Sequence, residues 1–265
     1  MPQHGSGIMP SMGSVTDTIR LTPLGGPTAL LEIGEIRLLI DPTFDPAGEY
    51  PIGSRTLAKT TDAVWTEQQV GGVDAVLLSH DQHPDNLDHG GRAYVAAAPL
   101  TLTTPTAAAR LDGVTAGLAP WETRQVGGVT VTAVPAQHGP DGTEHLTGPV
   151  TGFVLTTPAG RQLYVSGDNA SLPIVAEIAR RFPGIDLAVL FAGAARTPLV
   201  DGYLTLTSEE AVKAAELLGW PQVLPVHTDG WAHFTQNGSS LRKAFASAGR
   251  EARLVNAAPG ETVTV

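Results

Sequence analysis

The stretch SHDQHPDNLDHGG, residues 79–91, is rich in side chains that bind divalent metal ions. It holds three of the eight histidines of the chain, with aspartates between them, and it directly follows the apolar run VDAVLL. Because the chain has no cysteine, any metal ion must be bound by His, Asp, Glu or Asn side chains. The stretch is therefore either a metal-binding loop or a polar turn, and the other histidines must distinguish the two.

Three further apolar runs are also followed directly by a histidine or an aspartate. They are VTVTAVPAQ with His138, QLYVSG with Asp168, and QVLPV with His227. In layered α/β folds the carboxyl ends of strands converge on a ligand crevice. One such residue alone is more typical of a structural role, but the four positions together favour a metal site. Imidazole and carboxylate ligands suit Zn²⁺, and also Mn²⁺ or Fe²⁺.

The hydrophobic pattern predicts strands joined by hairpins and helices. Strands are expected at 28–33, 36–41, 73–79, 129–134, 150–155, 162–166, 186–191, 222–226 and 252–257. Helices are expected from Asp88 through GRAYVAAA, and over 173–182, 207–219 and 239–249. This order predicts an α/β fold, a layered sandwich of two mixed β-sheets with helices outside. The weakly patterned segment 44–65 is long for a loop in a compact domain, and is expected to form a lid or a pocket wall.

Composition and charge limit the classes of partner. A net charge of −10 and a pI near 5.2 argue against nucleic acid or an anionic membrane as the main partner. No apolar run approaches the roughly 20 residues that span a bilayer, and the first residues lack the pattern of a secretory signal. We expect a cytoplasmic protein with a flexible tail over 1–16 and a single domain over 17–265. The composition is compatible with a monomer or with a homo-oligomer.

Five segments carry a resemblance to a known family. They are LLEIGEIRLLIDPTF, VDAVLLSHDQHPDNLD, VPAQHGP, YVSGDN and SEEAVKAAELLGWPQVLPVH, and they follow the family's order over most of residues 20–230. The chain resembles the metal-dependent hydrolases of the metallo-β-lactamase fold, in the branch similar to ascorbate-6-phosphate lactonase. The resemblance implies a four-layer αββα sandwich and one or two divalent ions, with Zn²⁺ as first choice and Mn²⁺ or Fe²⁺ as alternatives. It assigns the metal ligands as His80, His83, Asp85, His138, Asp168 and His227.

The metal loop departs from the family pattern His-x-His-x-Asp-His at two places. One extra residue separates His80 from His83, so a strict register puts Asp81 in the first ligand position. His80 is favoured, because an imidazole matches its partners better. Asn86 replaces the last histidine, which weakens the second site because an amide oxygen is a poorer zinc ligand. His89 either compensates from the following helix or faces solvent.

Two further residues have open roles. Asp41 resembles the family's aspartate behind the metal ligands, where it would orient an imidazole, or it is simply an aspartate before proline in a turn. His233, between Trp231 and Phe234, either donates a proton to a leaving group or packs in an aromatic corner.

The function expected from these residues is hydrolysis by a metal-bound water that attacks an ester, lactone or phosphodiester-type bond of a small molecule. Asp85 or Asp168 would hold that water and take its proton, and His233 would protonate the departing oxygen. One alternative is a di-iron redox protein on the same fold, with Asp81 as an additional acidic ligand. The other is a degenerate metal-binding member without hydrolytic activity, in which Asn86 marks the loss.

Overall fold

The computed structural model describes residues 18–53 and 55–265. Over these residues the strands form two mixed β-sheets and a separate hairpin, with helices on the outer face of each sheet. The tail predicted for residues 1–16 lies outside the described residues. Among the helices described, none combines the length and the apolar character that crossing a bilayer requires.

The strands are short and are numbered in chain order. They are β1 (Ile19–Gly25), β2 (Thr28–Ile33), β3 (Ile36–Ile40), β4 (Gly48–Ile52), β5 (Arg55–Lys59), β6 (Ala75–Leu77), β7 (Thr101–Thr103), β8 (Thr115–Gly117), β9 (Thr123–Val126), β10 (Val129–Pro135), β11 (Thr151–Thr156), β12 (Gln162–Val165), β13 (Ile185–Phe191), β14 (Gln222–Val226) and β15 (Val263–Thr264).

The helices fall between the strands, mostly in the second half of the chain. They are α1 (Glu67–Val70), α2 (His89–Ala97), α3 (Pro105–Ala108), α4 (Glu144–Thr147), α5 (Leu172–Arg181), α6 (Ser208–Leu217) and α7 (Gly238–Ser247), with a 3₁₀-helix at Glu251–Arg253.

Both sheets contain antiparallel and parallel pairs. The first has the order β15-β1-β2-β3-β6-β7-β8 and is parallel from β3 to β8. The second has the order β14-β13-β12-β11-β10-β9 and is parallel from β12 to β14. Apart from the pair of β15 with β1, the antiparallel strands of both sheets are consecutive along the chain, and the parallel strands need crossovers that carry helices. The two mixed sheets predicted from the sequence are confirmed.

Three cores hold the layers together. Leu31 of the first sheet and Phe153 of the second belong to the core between the sheets. Ile178 and Phe245 belong to the core that joins the second sheet to α5, α6 and α7. Val95 belongs to a third core, between the first sheet and the α1 and α2 side. Burying each such side chain contributes about 1.5–3 kcal/mol. The order helix, sheet, sheet, helix is the predicted four-layer αββα sandwich.

The predicted helices are confirmed to within a residue or two at their ends, because their caps are visible in the sequence. Ser171 caps α5 through Ile174, and Thr207 forms a capping box with Glu210 at the start of α6. Such a cap satisfies backbone N–H groups that have no partner within the helix.

Two segment predictions needed the tertiary structure. The strand predicted at 252–257 is wrong. Its first two residues belong to the 3₁₀-helix at Glu251–Arg253, and Leu254 makes an isolated bridge with Val223. Its apolar residues serve packing, since Leu254 and Val255 contact two different cores. The segment 44–65 contains the β4–β5 hairpin, which the pattern did not reveal because its strands are short and interrupted by Pro51.

A buried ion pair fixes this hairpin to the start of α2. Lys59 Nζ lies 3.1 Å from Asp88 Oδ2, and both side chains are almost fully buried. Asp88 also caps α2 through Gly91 N and accepts hydrogen bonds from the backbone N–H groups of Phe44 and Asp45. Four donors compensate the charge of the buried Asp88 carboxylate, so Asp88 can anchor the hairpin and the residues Phe44 and Asp45 that precede it.

Gly91 allows α2 to lie against the chain that follows β3. A Cβ at this position would be 1.9 Å from the carbonyl oxygen of Pro42. We expect Gly91→Ala to destabilise the protein by about 2 kcal/mol or more, because overpacking outweighs the better helix propensity of alanine. Urea unfolding measures the difference. The matched control is Gly238→Ala in α7, where an added Cβ meets nothing within 4 Å. Equal stability of the two variants would contradict the packing argument.

Candidate metal centre

Strands from both sheets deliver the polar residues to one place. The loop after β6 carries His80, His83 and Asp85, while His138 follows β10 and Asp168 follows β12. His227 follows β14 directly. Most of these side chains are buried, which is uncommon for groups that titrate. The carboxyl ends of the strands therefore converge as the sequence predicted.

The first group consists of His80, His83, His138 and Asp168, each of which offers one ligand atom within 4.8 Å of the others. His83 Nδ1 lies 2.9 Å from His80 Nε2 and 3.2 Å from His138 Nε2. Asp168 Oδ2 lies 3.5 Å from His138 Nε2 and 4.0 Å from His80 Nε2. Three ring nitrogens and one carboxylate oxygen thus surround a common point.

Hydrogen bonds on the far side of two rings determine which nitrogen carries a lone pair. His138 Nδ1 lies 3.0 Å from the carbonyl oxygen of Leu204, which only accepts, so Nδ1 is protonated and Nε2 is free. The Ser79 hydroxyl donates to Asp41 Oδ2 at 2.6 Å, so its oxygen accepts from His80 Nδ1 at 2.8 Å. His80 Nε2 is then also a free lone pair facing the group. An outer partner that fixes a ring in this way is typical of metal-binding histidines.

The second group consists of Asp85, Asp168 and His227, and it shares Asp168 with the first. His227 Nε2 lies 3.2 Å from Asp85 Oδ2 and 3.5 Å from Asp168 Oδ1. His233 Nε2 also approaches Asp85 Oδ2, at 3.0 Å. The two oxygens of Asp168 therefore face different groups.

Burial keeps the histidines of the first group neutral. The pKa of His83 and that of His138 are both lowered to about 4, chiefly because their charged forms lose hydration. The pKa of His80 is lowered well below its usual value, first by burial and then by the charges of His83 and His138. Neutral imidazole is the form that binds a metal ion.

The second group has the opposite electrostatics. Burial would lower the pKa of His227, but the charges of Asp168 and Asp85 outweigh burial and raise it. Burial likewise raises the pKa of Asp168. For Asp85, burial acts upward, yet His233 and His227 hold its pKa well below the usual range. Asp85 is therefore a carboxylate at neutral pH.

Asn86 lies inside the site but directs its amide nitrogen at carboxylates. Its Nδ2 donates to Asp41 Oδ2 at 3.0 Å and to Asp168 Oδ1 at 3.2 Å. Its Oδ1 has no hydrogen-bond partner in the described part of the chain. The amide nitrogen thus stabilises two buried carboxylates, and the amide oxygen takes no part in these hydrogen bonds.

Asp41 lies beside the two groups, in contact with Ser79 and Asn86. It is completely buried and accepts hydrogen bonds from Ser79 N, Ser79 Oγ and Asn86 Nδ2. Burial raises its pKa to about 7, although the hydrogen bonds from Asn86 and Ser79 lower it. Asp41 reaches His80 through the Ser79 hydroxyl, and this link was missed from the sequence. The serine directly before His80 was the signal available.

Two residues considered for the site lie elsewhere. Asp81 forms an ion pair with Arg110 and points away from the histidines. His89 is exposed on α2 and its Nδ1 lies 3.0 Å from Asp45 Oδ2. The one-residue bulge in the loop therefore places His80, and not Asp81, beside His83.

Uncommon backbone conformations hold two residues of the site. Asp41 has φ 36° and His227 has φ 58°, both in the left-handed region that side chains other than glycine rarely adopt. The backbone N–H of His227 donates to Gly26 O at 2.6 Å. On the other side, a Cβ on Gly193 would lie 1.9 Å from His227 O, so only glycine permits this close approach.

A cleft leads from the surface to the site. It encloses about 460 Å³ including its opening to solvent, and His83, Asp85, His138 and His233 form its floor. Its walls come from the β4–β5 hairpin and from the segment 195–204. The segment 44–65 thus contributes a pocket wall.

The chain was compared with known proteins. A family model described as the Beta-lactamase superfamily domain matches residues 36–228. A metal-dependent hydrolase from Nitratidesulfovibrio vulgaris strain DP4 is 29% identical over 262 residues, which cover 93% of this chain and 95% of that protein.

Solved structures share the fold. The isothiocyanate hydrolase from Delia radicum gut bacteria has a TM-score of 0.80 and 22% identity, covering 92% of this chain and 98% of that one. A "possible metal-dependent hydrolase" from Veillonella parvula has a TM-score of 0.83 and 17% identity, covering 94% and 100%. At these identities the two structures support the fold alone.

The matched residues 36–228 include the strands of both sheets that end at the site and all six side chains of the two groups. These groups are able to hold divalent metal ions. On the strength of this match, which covers well over half of the sequence, the chain belongs to the β-lactamase superfamily and has the metallo-β-lactamase fold.

Proposed function

We propose that the protein is a metal-dependent hydrolase that cleaves an ester, lactone or phosphodiester-type bond of a small molecule. One observation carries the proposal. The free ring nitrogens of His80 and His138 face Asp168 Oδ2, a buried carboxylate oxygen with no hydrogen-bond partner in the described part of the chain. Burying such an oxygen is costly unless a cation compensates it.

The donor set fits divalent ions. In our proposal His80, His83, His138 and Asp168 hold one ion, while Asp85, Asp168 and His227 hold a second one less tightly. Zn²⁺ is the preferred ion for imidazole and carboxylate ligands, with Mn²⁺ and Fe²⁺ as alternatives. When bound, such an ion lowers the pKa of water toward ~7 and stabilises negative charge on the attacked group.

The carboxylates position the nucleophilic water and accept its proton. His227 and His233 both bind Asp85 Oδ2, so Oδ1 remains available to a water molecule at the floor of the cleft. Asp168 lies between the two groups, where either oxygen can orient a water. The low pKa of Asp85 means that it is ionised and ready to accept a hydrogen bond at neutral pH.

His233 is proposed as the proton donor to the departing oxygen. Its side chain is about 14% exposed and lines the cleft, and Asp85 lies 3.0 Å from its Nε2. The Asp85 carboxylate accepts a hydrogen bond from Nε2 and so orients the ring in the cleft. Packing against Trp231 and Phe234 orients the ring, so the aromatic corner and the acid role are compatible.

The redox alternative lacks its additional ligand. Asp81, the acidic residue it required, is paired with Arg110. The degenerate alternative rests on Asn86, whose hydrogen bonds to Asp41 and Asp168 give it a structural role in an intact site. We therefore place hydrolysis first.

We further propose a single domain over residues 17–265, a cytoplasmic location and a small-molecule substrate. The acidic composition supports a partner other than nucleic acid or an anionic membrane. The branch similar to ascorbate-6-phosphate lactonase also remains a proposal, supported by the segments quoted above.

Asp168→Asn is expected to lower the metal content of both groups, because both use its oxygens, and to reduce hydrolysis by at least about a hundredfold. Elemental analysis and turnover of lactone, ester and phosphodiester substrates measure the two effects. The control is Asp112→Asn, an exposed residue away from the site. Full metal content together with full activity in Asp168→Asn would overturn the proposed function.

His233→Gln is expected to retain its metal and to lose about 10²–10⁴ in kcat on alkyl esters, whose leaving group needs a proton. Esters of 4-nitrophenol should lose far less, because that leaving group departs without protonation. Steady-state kinetics on the two ester types measure the contrast, with His145→Gln in the exposed part of α4 as control. An equal loss on both types would show that His233 is not the acid.

Metal content is expected to fall in two steps as the pH is lowered. Protons compete with metal for each ligand. The raised pKa of His227 means that the second group loses its ion first, while His83 and His138, with pKa values of about 4, keep theirs well below pH 6.5, the usual pKa of histidine. Equilibrium dialysis with elemental analysis from pH 8 to 4 measures this order. Simultaneous release of all metal near pH 6.5 would contradict it.

A further inference from the structure

The cleft contains two guanidinium groups that have no carboxylate partner within the described residues. Arg55 of the hairpin donates from Nη1 to the Thr197 hydroxyl, and Arg196 packs over the ring of Tyr203 at 5.3 Å. Two arginines outside the cleft, Arg37 and Arg110, are by contrast paired with carboxylates. In a chain of net charge −10, two guanidinium groups without a carboxylate partner in one cleft need an explanation.

Arg55 lines the same cleft as the candidate metal centre, together with His83, Asp85 and His138. Arg55 is half-buried, so its charge is screened less than that of an exposed side chain. The guanidinium is therefore within the cleft in which a scissile bond would be attacked.

Apart from Thr147 and Thr197, the rest of the cleft wall is apolar. The hairpin contributes Ile52 and Leu57, and the opposite wall contributes Leu146, Leu199 and Leu204. Leu146 and Leu199 are 44% and 51% exposed, which is high for leucine and places them at the mouth. Apolar walls with a few placed polar groups are typical of small-molecule sites, where the polar groups determine orientation and specificity.

We propose that the substrate is a small, largely apolar molecule with an anionic group, a carboxylate or a phosphate, that binds Arg55. The apolar part contacts the leucines of the cleft, and Arg196 adds positive charge at the mouth. Guanidinium suits both anions because its N–H groups form paired, charge-assisted hydrogen bonds. This inference rests on the proposed function, since both use the same cleft.

A purely structural role for Arg55 gives a different expectation. Its hydrogen bond to Thr197 joins the hairpin to the opposite wall. If this hydrogen bond is the whole role of Arg55, Arg55→Gln loosens the cleft and weakens the binding of neutral and anionic ligands equally. If Arg55 binds the anion, the loss is confined to anionic ligands.

The test is calorimetric titration of the full, metal-loaded chain with three matched ligands: 4-phenylbutyrate, 3-phenylpropylphosphonate and the neutral 4-phenylbutanamide. We expect the wild type to bind at least one anion about tenfold or more tightly than the amide. Arg55→Gln should reduce this preference to about twofold or less, and Arg55→Lys should keep part of it. Arg124→Gln, an exposed position on β9 outside the cleft, should keep all of it. The tighter anion identifies the substrate class.

Three outcomes would overturn the inference. The first is that the wild type prefers neither anion over the amide. The second is an unchanged preference in Arg55→Gln, which would assign the anion to the metal. The third is that Arg55→Gln binds all three ligands more weakly by the same factor. Melting temperatures of the variants report whether each is folded. Because binding is measured without bond cleavage, a protein that binds the anions through Arg55 yet hydrolyses no substrate would refute the proposed function and leave this inference standing.

Discussion

Asp168 is a carboxylate without access to water, and its two oxygens face different sets of imidazoles. A buried negative charge is tolerated only where protons, hydrogen bonds or a cation compensate it. Asn86 supplies one hydrogen bond to Oδ1, and Oδ2 has none within the described residues. The two groups of side chains therefore meet at this single residue.

The surroundings of the site are arranged to hold it rigid before any ligand arrives. Asp41 fixes the Ser79 hydroxyl, which in turn fixes the tautomer of His80. The Lys59–Asp88 pair fixes the hairpin against α2, directly after the metal loop. Side chains placed in advance by such partners need little reorganisation when charge develops in a reaction. The uncommon backbone at His227 belongs to the same arrangement, because its carbonyl oxygen packs directly on Gly193.

The two groups of side chains differ in their electrostatics. Burial keeps His83 and His138 of the first group neutral, whereas in the second group Asp85, which lines the cleft, is ionised beside the buried His227. Asn86 marks the boundary: as an amide it gives hydrogen bonds to both carboxylates, which a metal-binding imidazole in its place would not do. The departure from the family pattern thus strengthens the internal network at the expense of the second group.

Much of the fold and the site was determined locally, by features that need no distant contact. Caps such as Thr207, the Gly34-Glu35 turn between β2 and β3, and apolar runs that end in His138 or Asp168 act within a few residues. The sequence alone therefore predicted the four longest helices, the two mixed sheets and the candidate ligands, but not the four-residue helices α1, α3 and α4. The hairpin at 44–65 and the choice between His80 and Asp81 were decided only by tertiary structure. Both depend on ion pairs between residues that are distant in the sequence, Lys59 with Asp88 and Asp81 with Arg110. The spacing of residues along the chain does not predict such pairs.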